Sequence, residues 1–87
     1  MKIRTVVRAN AGMNYRYELI LKRGELGSWQ YSVSISLKSS DGLIATSAER
    51  EINGNESAAR RFFDKLTENL VTPINLPYVI EDELVQS

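Results

Sequence analysis

The sequence contains neither cysteine nor histidine. Disulfides and thiolate chemistry are therefore excluded, and so is the imidazole group that serves most often in acid–base catalysis and as a zinc or iron ligand. The glycine spacing of dinucleotide-binding loops, the phosphate-binding loop with its lysine and the Ser-x-x-Lys pair are missing as well. We predict from these absences that the protein is not an enzyme and binds neither a metal nor a cofactor.

The chain also lacks a long apolar run, since no stretch approaches the roughly 18 residues that a membrane helix needs. The first ten residues, M-K-I-R-T-V-V-R-A-N, place Arg4 and Arg8 inside what would have to be the apolar part of a signal peptide. The sequence therefore predicts a cytoplasmic protein with no membrane partner.

Length and charge set further bounds. A chain of 87 residues with 43% hydrophobic and 25% charged side chains predicts one globular domain, over residues 1–87, with a thin core. The net charge is zero, but residues 1–50 carry eight basic and four acidic side chains while residues 51–87 carry three and seven. This asymmetry can polarise the surface, although a short chain can also acquire it by chance.

The first 52 residues read as four strands separated by turns. The turn signals are dipeptides that end in glycine: Ala11-Gly12, Arg23-Gly24, Asp41-Gly42 and Asn53-Gly54. Between two of them, S-W-Q-Y-S-V-S-I-S-L-K alternates between apolar and polar side chains, as a strand with one wet face does. The pattern predicts strands over 3–9, 14–22, 28–38 and 43–52, with a hairpin through Gly24-Glu25-Leu26-Gly27.

The period changes from two to about three and a half after Asn53-Gly54. Asn55 is a good N-cap, and apolar side chains then recur at helical spacing until Pro73 prevents the helix from continuing. Pro77 is expected to open a second, short helix as its first residue. The fold class predicted is α+β, a four-stranded antiparallel meander (1–52) with one long helix (55–70) on its apolar face and a turn with a short C-terminal helix (71–87).

The segment after the first helix carries the most specific motif of the chain. It reads N-L-V-T-P-I-N-L-P-Y-V-I-E-D, and it resembles the ending V-T-P-I-x-L-x-x-V-I-E-D of a family of small uncharacterised proteins from clostridia and related Firmicutes. The resemblance implies a domain of unknown function, and it marks Asn69, Thr72, Pro73, Glu81 and Asp82 as candidate binding residues. The same residues can also serve the fold: Asn69 can end the helix, Thr72 and Pro73 can fix the turn, and Glu81 or Asp82 can accept backbone hydrogen bonds or pair with an arginine of the sheet.

Two functions follow as hypotheses. The thin core, the open sheet edges and the apolar tail favour an interaction module that binds a protein partner or a second copy of itself as a homodimer. The alternative is single-stranded nucleic-acid binding through the basic side chains of the first two strands: Arg4, Arg8, Arg16 and Lys22. Such binding requires exposed aromatic rings, whereas the alternation places the aromatic residues on the face that the helix covers.

Overall fold

The structure is a computed structural model that describes residues 1–24 and 27–86, with the backbone alone described for residues 83–86. It contains four strands and two helices: β1 (Lys2–Asn10), β2 (Met13–Arg23), β3 (Trp29–Ser39), β4 (Ala45–Ile52), α1 (Glu56–Glu68) and α2 (Leu76–Gln86). The strands form one antiparallel sheet in the order β1-β2-β3-β4. The predicted α+β class and the antiparallel meander are therefore confirmed.

A two-residue turn fixes the register of β1 against β2. Asn10 pairs with Met13, and the two residues between them, Ala11 and Gly12, have φ values of 51° and 76°. Two consecutive positive φ values define the type I′ turn, whose twist suits a tight hairpin. This register sets Val6 opposite Tyr17, and it therefore decides which face of β1 points toward the core.

A bulge interrupts β1 near its start. Lys2 pairs with Ile20 and Arg4 pairs with Leu19, so that Ile3 is an extra residue on β1. Ile3 packs against the core, and Arg4 lies near a ring of α1, so both residues point to the same side of the sheet. Lys2 can then return to the opposite side, where it contacts Glu18.

The sheet has one face that the helices cover and one that they leave open. The covered face includes Tyr17, Leu19, Val33 and Ile35, all of which have no exposed surface. The open face carries the intervening side chains, among them the serines at 32, 34 and 36 of β3. The alternation predicted for β2 and β3 thus assigns the faces correctly, although Ser32 on the open face is buried and Trp29, at the start of β3, is exposed.

The ends of β4 and of the second hairpin differ from expectation or lie outside the description. β4 begins at Ala45, two residues later than predicted, because the Ser39 side chain and backbone bind Ile44 and the carboxylate of Asp41 accepts the N–H of Leu43 within the turn. Leu43 and Ile44 are both exposed there. The hairpin predicted through Gly24 to Gly27 includes Glu25 and Leu26, which lie outside the described residues.

The helix α1 begins where the sequence indicates. Asn55 is its N-cap, with the side-chain Oδ1 accepting the N–H of Ala58 at 2.9 Å. The helix has 13 residues, close to the average for globular proteins, and α2 has 11. The prediction of one long helix is therefore wrong. α1 ends at Glu68, and the chain leaves helical geometry at Leu70, where φ is 49°.

Both helices contribute to one core. Its buried apolar residues are Tyr17, Leu19, Val33, Ile35, Ala59, Phe62, Phe63, Leu66 and Leu76. The helix α1 lies over β2 and β3, and α2 lies over β4. The amphipathic pattern of α1 places its apolar stripe on the sheet, as the period of about 3.6 residues predicts.

Candidate interaction surfaces

Asn69 has a structural role at the end of α1. Its backbone N–H and its side-chain Nδ2 both donate to the Lys65 carbonyl, at 3.1 and 2.8 Å. Leu70 follows in the left-handed region, and the Val71 N–H then donates to the Leu66 carbonyl at 3.1 Å, which is the closing bond of a Schellman motif. Glycine is the usual residue at the position of Leu70, so its side chain is held there against a steric cost.

Thr72 and Pro73 start the next helical turn. The Thr72 carbonyl accepts the N–H groups of Asn75 and Leu76, each at 3.1 Å, and Pro73 is buried. A proline directly after the capping residue is favoured because its missing N–H has no partner in a first turn. Pro77, which the sequence predicts as the first residue of the helix, is instead its second, because the turn from Thr72 already starts the helical path.

Glu81 and Asp82 lie on the exposed side of α2, and the structure gives neither of them a hydrogen bond or ion pair with any residue that it describes. The sequence allowed a pairing of one of them with an arginine of the sheet, and the described ion pairs do not include it. Their backbone positions, at 81 and 82, fall on the same side of the helical path as 74 and 78. This side of α2 therefore contains two carboxylates that the fold leaves in solvent.

Two large apolar side chains share this side of the helix. Ile74 is 72% exposed and Tyr78 is 65% exposed, one helical turn apart. We call the four side chains Ile74, Tyr78, Glu81 and Asp82 the α2 outer surface. The opposite side of the same segment is buried or half-buried through Leu76, Val79 and Ile80, which pack on the core.

The sequence groups Ile74 with the other apolar residues of the tail, which can contact either the protein's own core or a second chain. Leu76, Val79 and Ile80 contact the core, whereas Ile74 is exposed. The signal that separates the two sets is the helical period: residues 74, 78, 81 and 82 share one side, and residues 76, 79 and 80 share the other. The period could be applied to Ile74 only once the helical path was known to begin at Thr72 rather than at Pro77. The tail therefore docks within its own chain by one side only.

A buried tyrosine ties the connection between the helices to the sheet. The Tyr17 hydroxyl donates to the Val71 carbonyl at 3.0 Å, and the ring of Tyr17 stacks on that of Tyr15 with centroids 6.3 Å apart. Burial, followed by the neighbouring Tyr15, raises the pKa of Tyr17 to about 12. This hydrogen bond fixes residues 70–72 and thereby the point from which α2 starts.

The four basic residues of the nucleic-acid hypothesis do not share one face. Arg4 and Arg8 alternate with Val6 and therefore lie on the covered face of β1, because Val6 packs toward the core. Arg4 donates to Asp64 of α1 at 2.6 Å, and its guanidinium lies 5.8 Å from the centre of the Phe63 ring. Arg4 is thus a link between β1 and α1 rather than part of an open basic surface.

Arg16 and Lys22 do lie on the open face, where each has an acidic partner. Glu18 forms ion pairs with Lys2 at 2.8 Å and with Arg16 at 3.4 Å, while Lys22 of β2 pairs with Glu49 of β4 across the intervening strand. The interaction with Lys2, with help from the charge of Arg16, lowers the pKa of Glu18. Arg16 and Lys22 are therefore members of ion pairs beside the serines of β3.

The aromatic rings needed for base stacking are mostly occupied. Tyr15 and Tyr31 are half-buried against the core, and Tyr17 is fully buried. Trp29 is 62% exposed, but it lies opposite Arg23 on the side of the sheet that faces away from Arg16 and Lys22. The open ring of the sheet, Trp29, therefore lies on a different face from Arg16 and Lys22, and the other open ring, Tyr78, lies on α2.

Within the described residues, no group of three or more Asp or Glu side chains is placed so that it could hold a metal ion. Neither helix, as far as the chain is described, is long and apolar enough to cross a bilayer.

The geometry defines a class of protein: a small α+β domain whose antiparallel meander is covered on one face by two helices. A family model matches residues 1–86, and the chain belongs to this family, which is described as a family of unknown function (DUF6514). No curated protein and no solved structure matches the chain. The membership covers nearly the whole chain and supplies no activity, so the function has to be argued from the surfaces.

Proposed function

We propose that this protein is a non-enzymatic interaction module of the cytoplasm, and that it binds protein, in the first instance a second copy of itself, through the α2 outer surface. The observation that carries the proposal is the exposure of Ile74 and Tyr78 at one helical spacing on a helix whose other side is packed. Aromatic residues are enriched at protein interfaces, where a large ring is buried at little entropic cost.

The size of the exposed group supports an interface rather than an incidental surface residue. Full burial of a side chain such as Ile stabilises a complex by about 1.5 to 3 kcal/mol, and a symmetric dimer gains this contribution from each copy. The adjacent carboxylates Glu81 and Asp82 would then lie at the polar rim, where charges add specificity more than affinity. The four side chains together have the apolar centre and charged margin typical of a small interface.

The proposal is tested by measuring molar mass in solution by light scattering and sedimentation, from low to high micromolar protein. We expect a concentration-dependent dimer, and we expect that Ile74→Ser with Tyr78→Ser weakens it at least tenfold. Val7→Ser is the matched control, since Val7 is an exposed apolar residue on β1 at the far side of the sheet. A monomer at high micromolar concentration, or a dimer that the double variant leaves unchanged, would refute self-association through this surface.

A further inference from the structure

The strand β4 is an edge whose outward hydrogen-bonding groups can be identified. The Ser39 N–H donates to the Ile44 carbonyl at 2.9 Å, and hydrogen-bonded pairs alternate along an antiparallel ladder. The backbone groups of Thr46, Ala48 and Arg50 therefore point toward β3, because these residues follow Ile44 at intervals of two. Those of Ala45, Ser47, Glu49 and Glu51 point away from the sheet. The Glu49 carbonyl accepts the Arg50 Nη1 at 2.8 Å, a bond that a second strand would have to replace.

The two edges of the sheet are not equivalent. β1 contains the bulge at Ile3, and a bulge is one of the devices that prevent an edge from pairing with another chain. β4 pairs with β3 without a register shift over eight residues. Each strand carries three charged residues, so the bulge and not the charge distinguishes the two edges. It is therefore the edge that can accept another strand.

We infer that a second copy of the chain pairs with β4 in an antiparallel ladder centred on Ala48, so that the sheet continues from one copy into the other. This inference rests on the proposed self-association and specifies its geometry. Residues with outward backbone groups must face one another, so Ser47 pairs with Glu49 of the second copy and Ala45 pairs with its Glu51. On the covered face, Thr46 pairs with Arg50 of the second copy.

The charges of β4 select this register. A ladder centred on Glu49 would place the two Glu49 carboxylates opposite each other, and one centred on Arg50 would oppose the two arginines. A ladder centred on Ser47 avoids like charges but covers only residues 45–49 of each copy. The register centred on Ala48 covers residues 45–51 and sets every charged residue opposite a small neutral or hydroxyl side chain.

The helix α2 lies on the same edge of the molecule, because it packs over β4. A two-fold axis perpendicular to the sheet would place the two α2 helices on the same face of the continuous sheet, one on each side of the axis.

Two proline variants test which edge is used. Ser47→Pro removes an outward N–H of β4 and no ladder bond to β3, and Val7→Pro makes the matched change on the β1 edge, where the hairpin register directs the Val7 N–H outward. We expect Ser47→Pro to be a monomer with an unchanged far-ultraviolet circular dichroism spectrum and Val7→Pro to dimerise like the wild type. Dimerisation of Ser47→Pro, or its loss in Val7→Pro alone, would overturn the β4 interface.

A charge-exchange pair tests the register and does not depend on proline being tolerated. Ser47→Glu creates two Glu–Glu contacts in the dimer centred on Ala48 and should weaken association at least tenfold. Adding Glu49→Lys places opposite charges at both contacts and should restore association. In a ladder centred on Glu49, the same change would instead place two lysines opposite each other. Failure of the second change to restore the dimer overturns the register. A wild-type dimer that resists all β4 variants but is weakened by Ile74→Ser with Tyr78→Ser rejects this inference and leaves the proposed function intact.

Discussion

The hydrogen bond between Tyr17 and the connection of the two helices leads to a prediction with a distinctive pH dependence. Tyr17→Phe removes the hydroxyl that donates to Val71 at 3.0 Å while leaving the buried ring in place. An intramolecular hydrogen bond of this type contributes about 1 kcal/mol net to stability. Near neutral pH we therefore expect the variant to be less stable than the wild type by about 1 kcal/mol.

At high pH the order should reverse. Burial raises the pKa of Tyr17 from its ordinary value of 10.0 to about 12 in the folded protein. The neutral hydroxyl is thus favoured by folding, and its stabilisation is fully present below pH 10 and is lost as the pH rises toward 12. The loss corresponds to about 2 kcal/mol, so the wild type should become the less stable of the two by about 1 kcal/mol near the upper end of this interval.

The assay is urea denaturation followed by far-ultraviolet circular dichroism, with wild type and variant compared at neutral pH and in steps across the alkaline range. The comparison cancels the titration of lysines and of the other tyrosines, because both proteins contain them. Tyr78→Phe is the control, since it deletes the hydroxyl of a tyrosine that is 65% exposed and should leave stability unchanged near neutral pH. A constant difference between wild type and Tyr17→Phe at every pH would refute the reasoning, since it would mean that the hydroxyl is not held in its neutral form by the fold.

Two further predictions concern the first hairpin and the basic residues. Ala11→Asn should stabilise the protein by about 0.5 to 1 kcal/mol in urea denaturation, because Ala11 has a φ of 51° in a type I′ turn where asparagine is favoured; an unchanged or lower midpoint would contradict it. We expect no tight binding of labelled single-stranded DNA or RNA in fluorescence-anisotropy titrations at two salt concentrations, because Arg16 already pairs with Glu18. Arg16→Glu should therefore give the same result as the wild type. Micromolar binding that weakens steeply with salt and is lost in that variant would instead restore the nucleic-acid hypothesis.

The parts of the fold that could be predicted are those in which a local pattern and the long-range packing agree. The faces of β3 could be predicted because its large apolar side chains alternate with serines, and Asn55 could be predicted because an N-cap depends only on the first turn of its helix. The limits of β4 were harder to predict, since Leu43 and Ile44 are apolar but are held in the turn by Ser39 and Asp41. Their hydrophobicity predicts that they belong to the strand, but the hydrogen bonds of the turn determine their conformation.

The candidate surfaces could be predicted only in part, for a related reason. The nucleic-acid hypothesis requires Arg4 and Arg8 to lie on the solvent face. The alternation in β1 is compatible with either face, because Val6 and Val7 are adjacent and equally apolar. The choice is made by the Asn10 to Met13 pairing of the tight turn, and by the position of Asp64 over β1, which no pattern within β1 contains. Register is a property of two strands, so a single strand cannot specify it.

The C-terminal segment shows how an apolar tail can serve both the fold and a surface. Its prolines act at the start of the helical path, where Pro73 follows the capping Thr72 and Pro77 lies in the first turn of α2, so neither interrupts the helix. The path that they set divides the apolar residues of the tail into an inner set on the core and an outer pair, Ile74 and Tyr78. Burial of the inner set is sufficient to dock the helix on β4, which means that the fold does not account for the outer pair. The variants of Ile74 and Tyr78 should therefore affect association while leaving the free energy of unfolding of the monomer nearly unchanged.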